Sequence, residues 1–139
     1  MIAVLGSAIW NRFNAENTLQ AALTGGLWFG DAPDSTSYPF GTFNIDGIVR
    51  DEIMGSSTGT SSEGINKASI RIQVYSKDLT GGTDISTLID KAVNCFDWCT
   101  LTITGYTPIK MGGSIIAPII YEDEIWQGSL LYEIWFQKS

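Results

Sequence analysis

Apolar and polar residues alternate strictly between Asn66 and Tyr75. Ala68, Ile70, Ile72 and Val74 fall on one side, and Ser69, Arg71, Gln73 and Tyr75 on the other. That period of two marks a strand with one packed face. After Lys77-Asp78-Leu79-Thr80-Gly81-Gly82 the period lengthens to about 3.6. Ile85, Leu88, Ile89, Ala92, Phe96 and Cys99 then share one helical face. The pattern predicts a helix over 84–98 laid on the face carrying Ile70, Ile72 and Val74.

The same reading extends along the chain. Ile2, Leu5, Ile9 and Phe13 have helical spacing. Asn14 or Asn17 is placed to cap a second helix from Thr18 to Leu23, which Gly25 and Gly26 end. The spacing leaves open whether 2–23 is one kinked helix or two short ones. Leu27-Trp28-Phe29 is a short strand candidate, and 31–35 a loop. An extended run goes from Tyr38 to about Met54, with Phe43, Ile45, Val49 and Ile53 on one face and Gly41 and Gly47 as bends or bulges. Residues 55–64, Gly-Ser-Ser-Thr-Gly-Thr-Ser-Ser-Glu-Gly, have linker composition and join two strands. Strands are also predicted at 101–104, at 109–111 before Gly112-Gly113, and at 115–121, where Pro118 favours an edge. In the last strand, 125–137, Trp126, Leu130, Tyr132, Ile134 and Phe136 share a face, with Leu131, Glu133 and Trp135 on the other. The fold class is α+β, an antiparallel β-sheet with a long amphipathic helix packed on one face plus an N-terminal helix. One domain over 1–139 is the expectation.

Charge narrows the partners. Fifteen acidic residues against eight basic ones give −7, which opposes sequence-independent DNA binding. No segment has the length and apolarity of a membrane span. The start, Met1-Ile2-Ala3-Val4-Leu5-Gly6-Ser7-Ala8, lacks a basic leader region and reads as a helix start. Sixteen Phe, Trp and Tyr residues in an acidic chain fit either an aromatic-rich core or apolar surface left over for a partner.

Little in the chain resembles catalytic chemistry. With no His, neither a nucleophilic triad nor a two-Cys metal site is completed. Cys95 and Cys99, one turn apart on the predicted helix, read as buried free thiols. Asp51-Glu52 and Glu122-Asp123-Glu124 read as solvated turn residues, since neighbours on a strand point to opposite sides. Gly81-Gly82 and Gly112-Gly113 lack the Lys-Ser/Thr of a phosphate loop. The five Trp residues suit core or interface packing better than a pocket. No catalytic residue, cofactor or metal is expected.

The order of features carries a resemblance. The N-terminal helix leads into Leu19-Gln20-Ala21-Ala22-Leu23-Thr24-Gly25-Gly26. Then follow Trp28-Phe29-Gly30-Asp31-Ala32-Pro33 and Tyr38-Pro39-Phe40, the alternating strand Ile70–Lys77, the amphipathic helix, and Leu130-Leu131-Tyr132-Glu133-Ile134-Trp135. This resembles the tail-completion and tail-terminator proteins of long-tailed bacteriophages, over nearly the whole chain. The segment 81–83 and the stretch 101–111 depart from that pattern. The resemblance implies a virion protein of the tail or neck, made in the bacterial host cytoplasm. It implies a ring, sixfold in the family, that caps the tail tube protein and meets the head connector or neck protein. DNA would pass through the lumen without specific binding, and no membrane is involved.

The assembly contacts expected on this basis are the linker residues Ser56, Ser57, Thr58, Thr60, Ser61, Ser62 and Glu63, with Arg50, Arg71, Gln73, Tyr75, Glu133 and Trp135 on the strands. The linker is expected to be mobile in free subunits and ordered by a neighbour. A head–tail connector subunit and a small aromatic-pocket binding module are the alternatives.

Overall fold

The computed structural model describes residues 2–51, 65–77, 82–108 and 111–138. Two helices open the chain, α1 (Ile2–Ala15) and α2 (Asn17–Ala22). Glu16 separates them in an extended conformation, with φ −103° and ψ 97°, and makes no side-chain cap. Neither Asn14 nor Asn17 is the cap; Asn14 instead accepts a hydrogen bond from Gln20 at 3.3 Å. After α2 the chain reverses at Gly26, whose φ of +87° suits a residue without Cβ.

The strands are β1 (Leu27–Phe29), β2 (Phe40–Asp51), β3 (Ile65–Ser76), β4 (Tyr106–Pro108), β5 (Ile115–Ile116), β6 (Ile120–Glu122) and β7 (Ile125–Lys138), with helix α3 (Thr83–Phe96) between β3 and β4. Among the described residues they form one sheet in the order β1-β2-β3-β7, and β4, β5 and β6 all pair with β7. The long pairs β2–β3 and β3–β7 are antiparallel, as expected, but β1 runs parallel to β2. The sheet is therefore mixed.

Hydrophobic burial explains the helix layer. The even-numbered residues of β3 and β7, from Ala68 to Val74 and from Leu130 to Phe136, are buried against Ile85, Leu88, Ile89, Ala92 and Phe96 of α3. Leu5, Ile9 and Phe13 of α1 complete the same core. Gly128 lets α3 come close to β7, because a Cβ there would lie 2.5 Å from Ile89 Cδ1.

Four local expectations are corrected. A bulge between Ile45 and Gly47 shifts the register of β2, so Ile48 pairs with Ala68 of the buried row and Val49 with Lys67; Ile53 lies outside the described residues. Helix α3 ends at Phe96, and Asp97 is extended, so Cys99 is buried but not helical. The stretch 101–104 forms no strand: Leu101 and Ile103 are buried, but the outer edge of β7 is taken in turn by β6, β5 and β4. Finally, 115–121 is two short strands. Pro118 has no N–H to continue the ladder, which Ala117 N–H closes on Ser129 O at 3.0 Å. The expected strand at 109–111 falls largely outside the described residues, and Met111 is buried coil.

Candidate assembly surfaces

The sheet face away from the helices carries most of the described residues expected to make contacts. The β3–β7 register places Lys67 opposite Trp135, Ser69 opposite Glu133, Arg71 opposite Leu131, Gln73 opposite Ser129 and Tyr75 opposite Gln127. Arg71, Gln73, Tyr75, Glu133 and Trp135 thus share one face. Past the bulge the ladder pairs Arg50 with Asn66. Ser56, Ser57, Thr58, Thr60, Ser61, Ser62 and Glu63 lie outside the described residues.

This face is polar in its middle and apolar at its ends. Arg71 pairs with Asp46, which the bulge presents, at 2.9 Å, and Lys67 Nζ lies 3.9 Å from Glu133 Oε1. Both pairs are solvent-accessible and contribute at most about 1 kcal/mol each. At one end Phe40 stacks on Tyr75, with ring centroids 4.9 Å apart, and Lys77 sits over the Tyr38 ring. Elsewhere Ile115, Leu131 and Trp135 line a depression of about 420 Å³.

A second surface is the edge formed by β5 and β6. Ile115, Ile116, Ile119, Ile120 and Tyr121 are between 43% and 68% exposed, and the run from Met111 to Tyr121 carries no charged residue. Beside it stands Trp98, 67% exposed at a φ of +58°. A bulky side chain in that left-handed region is strained. The strain is held by its neighbour: Asp97 Oδ1 accepts from Tyr132 Oη at 2.5 Å, and Oδ2 accepts from the Ser114 N–H at 3.3 Å. Burial, together with the adjacent carboxylate, pushes the Tyr132 hydroxyl above its usual range.

The third surface lies at the opposite edge of the sheet. Ile2, Ala3, Gly6, Ser7, Trp10 and Asn11 of α1, with Phe29 and Phe43, line a groove of about 630 Å³ that contains no charged side chain. Gly6 lets the exposed Phe29 ring lie against the helix, since a Cβ there would be 2.9 Å from Phe29 Cε2. Phe29 meets Phe43 edge to face at 5.0 Å. Of the five tryptophans, Trp10, Trp28, Trp98 and Trp135 are exposed, which favours contact surfaces over core.

The described residues hold no cluster of three or more His, Cys, Asp or Glu side chains able to bind a metal. Cys95 and Cys99 are free and buried. Burial pushes the Cys95 thiol up to about 12 and raises Cys99 as well, so both are protonated and unreactive near neutral pH. Sequence reasoning placed 115–121 at an edge through Pro118 but did not find its exposed apolar surface, and it did not find the α1–β1 groove. A signal for the edge was available in Ile115-Ile116-Ala117-Pro118-Ile119-Ile120-Tyr121, which is too continuously apolar for a one-sided strand. The groove had none, because its walls come from distant segments.

No family model matches the chain, and no curated protein does. Solved structures do. A chain from the virion of a native gene transfer agent particle superposes with a TM-score of 0.71 at 10% identity, over 99% of both chains. A second solved chain superposes with a TM-score of 0.64 at 8% identity, over 99% of this chain and 96% of its own. This protein therefore has, from end to end, a fold found in a virion.

Proposed function

We propose that the protein is a structural subunit of a phage-like virion, acting as the tail terminator. The observation that carries the structural-subunit reading is the superposition on a virion chain, over 99% of each, and the terminator role rests on the resemblance. The superposition agrees with the ordered motifs that resemble the tail-completion and tail-terminator family. The proposed assembly is a ring, sixfold as in that family, capping the tail tube protein and meeting the head connector.

Physical features fit the role. A net charge of −7 per copy is compatible with a lumen that repels passing DNA and does not retain it. The same charge opposes ring closure in solution, so the subunit is expected to be monomeric or weakly and salt-dependently associated until a tube end templates it. The proposed contacts with neighbours include Arg71, Gln73, Tyr75, Glu133 and Trp135 on the open sheet face, with the segment 56–63. Deleting residues 57–62 should spare the fold and impair ring formation.

The test is particle assembly without this protein. Overlong or headless tails are the expected outcome. Normal tails already joined to heads would remove the terminator role. Normal tails left unjoined would reassign the subunit to the connector.

A further inference from the structure

The two apolar surfaces lie at opposite ends of one sheet. The α1–β1 groove flanks the edge strand β1, and the 115–121 run lies along the far side of β7. We propose that residues 115–121 of one copy seat in the α1–β1 groove of the next, making a directional contact between identical chains. This rests on the structural-subunit reading above and specifies the contact.

Three observations commit the groove to a second copy. The first is charge. Each copy carries −7, so most pairs of surfaces on identical chains repel. The groove lining and the 115–121 run are both uncharged, so no charged side chain is desolvated where they meet. The second is shape and area. One surface is a groove and the other an exposed run along β7, with Ile115, Ile119, Ile120 and Tyr121 between 43% and 68% exposed. At roughly 150–250 Å² for a whole aromatic side chain, each surface offers several hundred Å². That is part of the ~800 Å² per partner of a standard interface, the remainder falling to a polar rim. The third is symmetry. A two-fold dimer joining like edges covers one apolar edge per chain and leaves the other in water. A single directional contact, repeated, covers both, and closes where the rotation allows.

The experiment uses the full chain and two single variants, Ser7→Glu in the groove and Ile120→Glu on the edge. Both positions are exposed, so circular dichroism and melting should match the parent. Sedimentation velocity is run at high protein concentration in about 1 M salt, where the Debye length is about 3 Å. The parent should self-associate, and each variant should associate roughly tenfold or more weakly, because an unpaired charge is buried in the contact. Mixed in equal amounts, the variants retain one intact edge and one intact groove between them. They should form a 1:1 dimer and nothing larger. A monomeric parent, a variant that associates like the parent, a mixture that stays monomeric, or one that grows past the dimer would each overturn the proposal. The contact and the role fail separately. The 1:1 dimer with normal tails in the assembly assay keeps the contact and removes the terminator. Monomers with overlong tails do the reverse.

Discussion

The Tyr132 hydroxyl donates a 2.5 Å hydrogen bond to the Asp97 carboxylate, tying the last strand to the residue that follows α3. The bond spans 35 positions in the chain. Its other carboxylate oxygen holds the Ser114 N–H, so one side chain joins helix, strand and the approach to β5. Tyr132→Phe removes the donor and leaves the carboxylate partly unsatisfied. A loss of roughly 1–3 kcal/mol is expected in urea unfolding. A change within about 0.3 kcal/mol would show that Asp97 is served equally well by water.

Alkaline pH should destabilise the chain through the same region. Cys95 rises from 9.0 to about 12 in the folded state, and Tyr132 rises above its ordinary 10.0. Both groups keep their protons longer when folded than when unfolded. The unfolded chain therefore binds fewer protons above about pH 9, and stability falls as pH rises. Below about pH 8 neither group contributes an appreciable slope. In Cys95→Ala the decline between pH 9 and 12 should be shallower than in the parent, whatever the offset in absolute stability. Parallel curves would argue against Cys95 as a source.

Thiol accessibility gives an independent check on the core. Cys95 and Cys99 are buried and protonated near neutrality, so an aromatic disulfide reagent at pH 7.5 should label neither in the native chain. It should label both after denaturation. Rapid native labelling of either would place that thiol outside the core.

The packing of α3 on β7 is testable as a pair. Leu88→Ala should cost about 2–5 kcal/mol. Gly128→Ala should cost roughly 1–3 kcal/mol, since the new methyl meets Ile89 Cδ1 at 2.5 Å. Ile89→Val removes that atom, so the Gly128→Ala penalty should shrink in its background. Strict additivity of the two substitutions would mean that the crowding is relieved elsewhere.

The Asp46–Arg71 pair should matter little despite its 2.9 Å separation. Asp46→Asn is expected to cost under about 1 kcal/mol, and less at high salt. A larger loss would mean that the pair holds the bulge in β2.

Local periodicity was sufficient for the framework. The alternation through Ile70, Ile72 and Val74 and the stripe through Ile85, Leu88 and Ala92 are both buried as their spacing requires. Facing direction follows from backbone geometry and hydrophobic burial alone, so the α+β sheet-and-helix layer was legible. So was the grouping of Arg71, Gln73, Tyr75, Glu133 and Trp135 on one face. Pairing was not legible, because a strand's partner lies elsewhere in the chain. The parallel β1 and the coil at 101–104 both depend on which edge of the sheet was free. The bulge at Ile45–Gly47 changed the row in which Arg50 is paired, an effect that one inserted residue has on every residue after it. The α1–β1 groove exists only because Trp10 and Phe29, nineteen positions apart, are brought beside each other when α1 packs on the sheet edge. That juxtaposition is a property of tertiary packing, and no period in the chain encodes it.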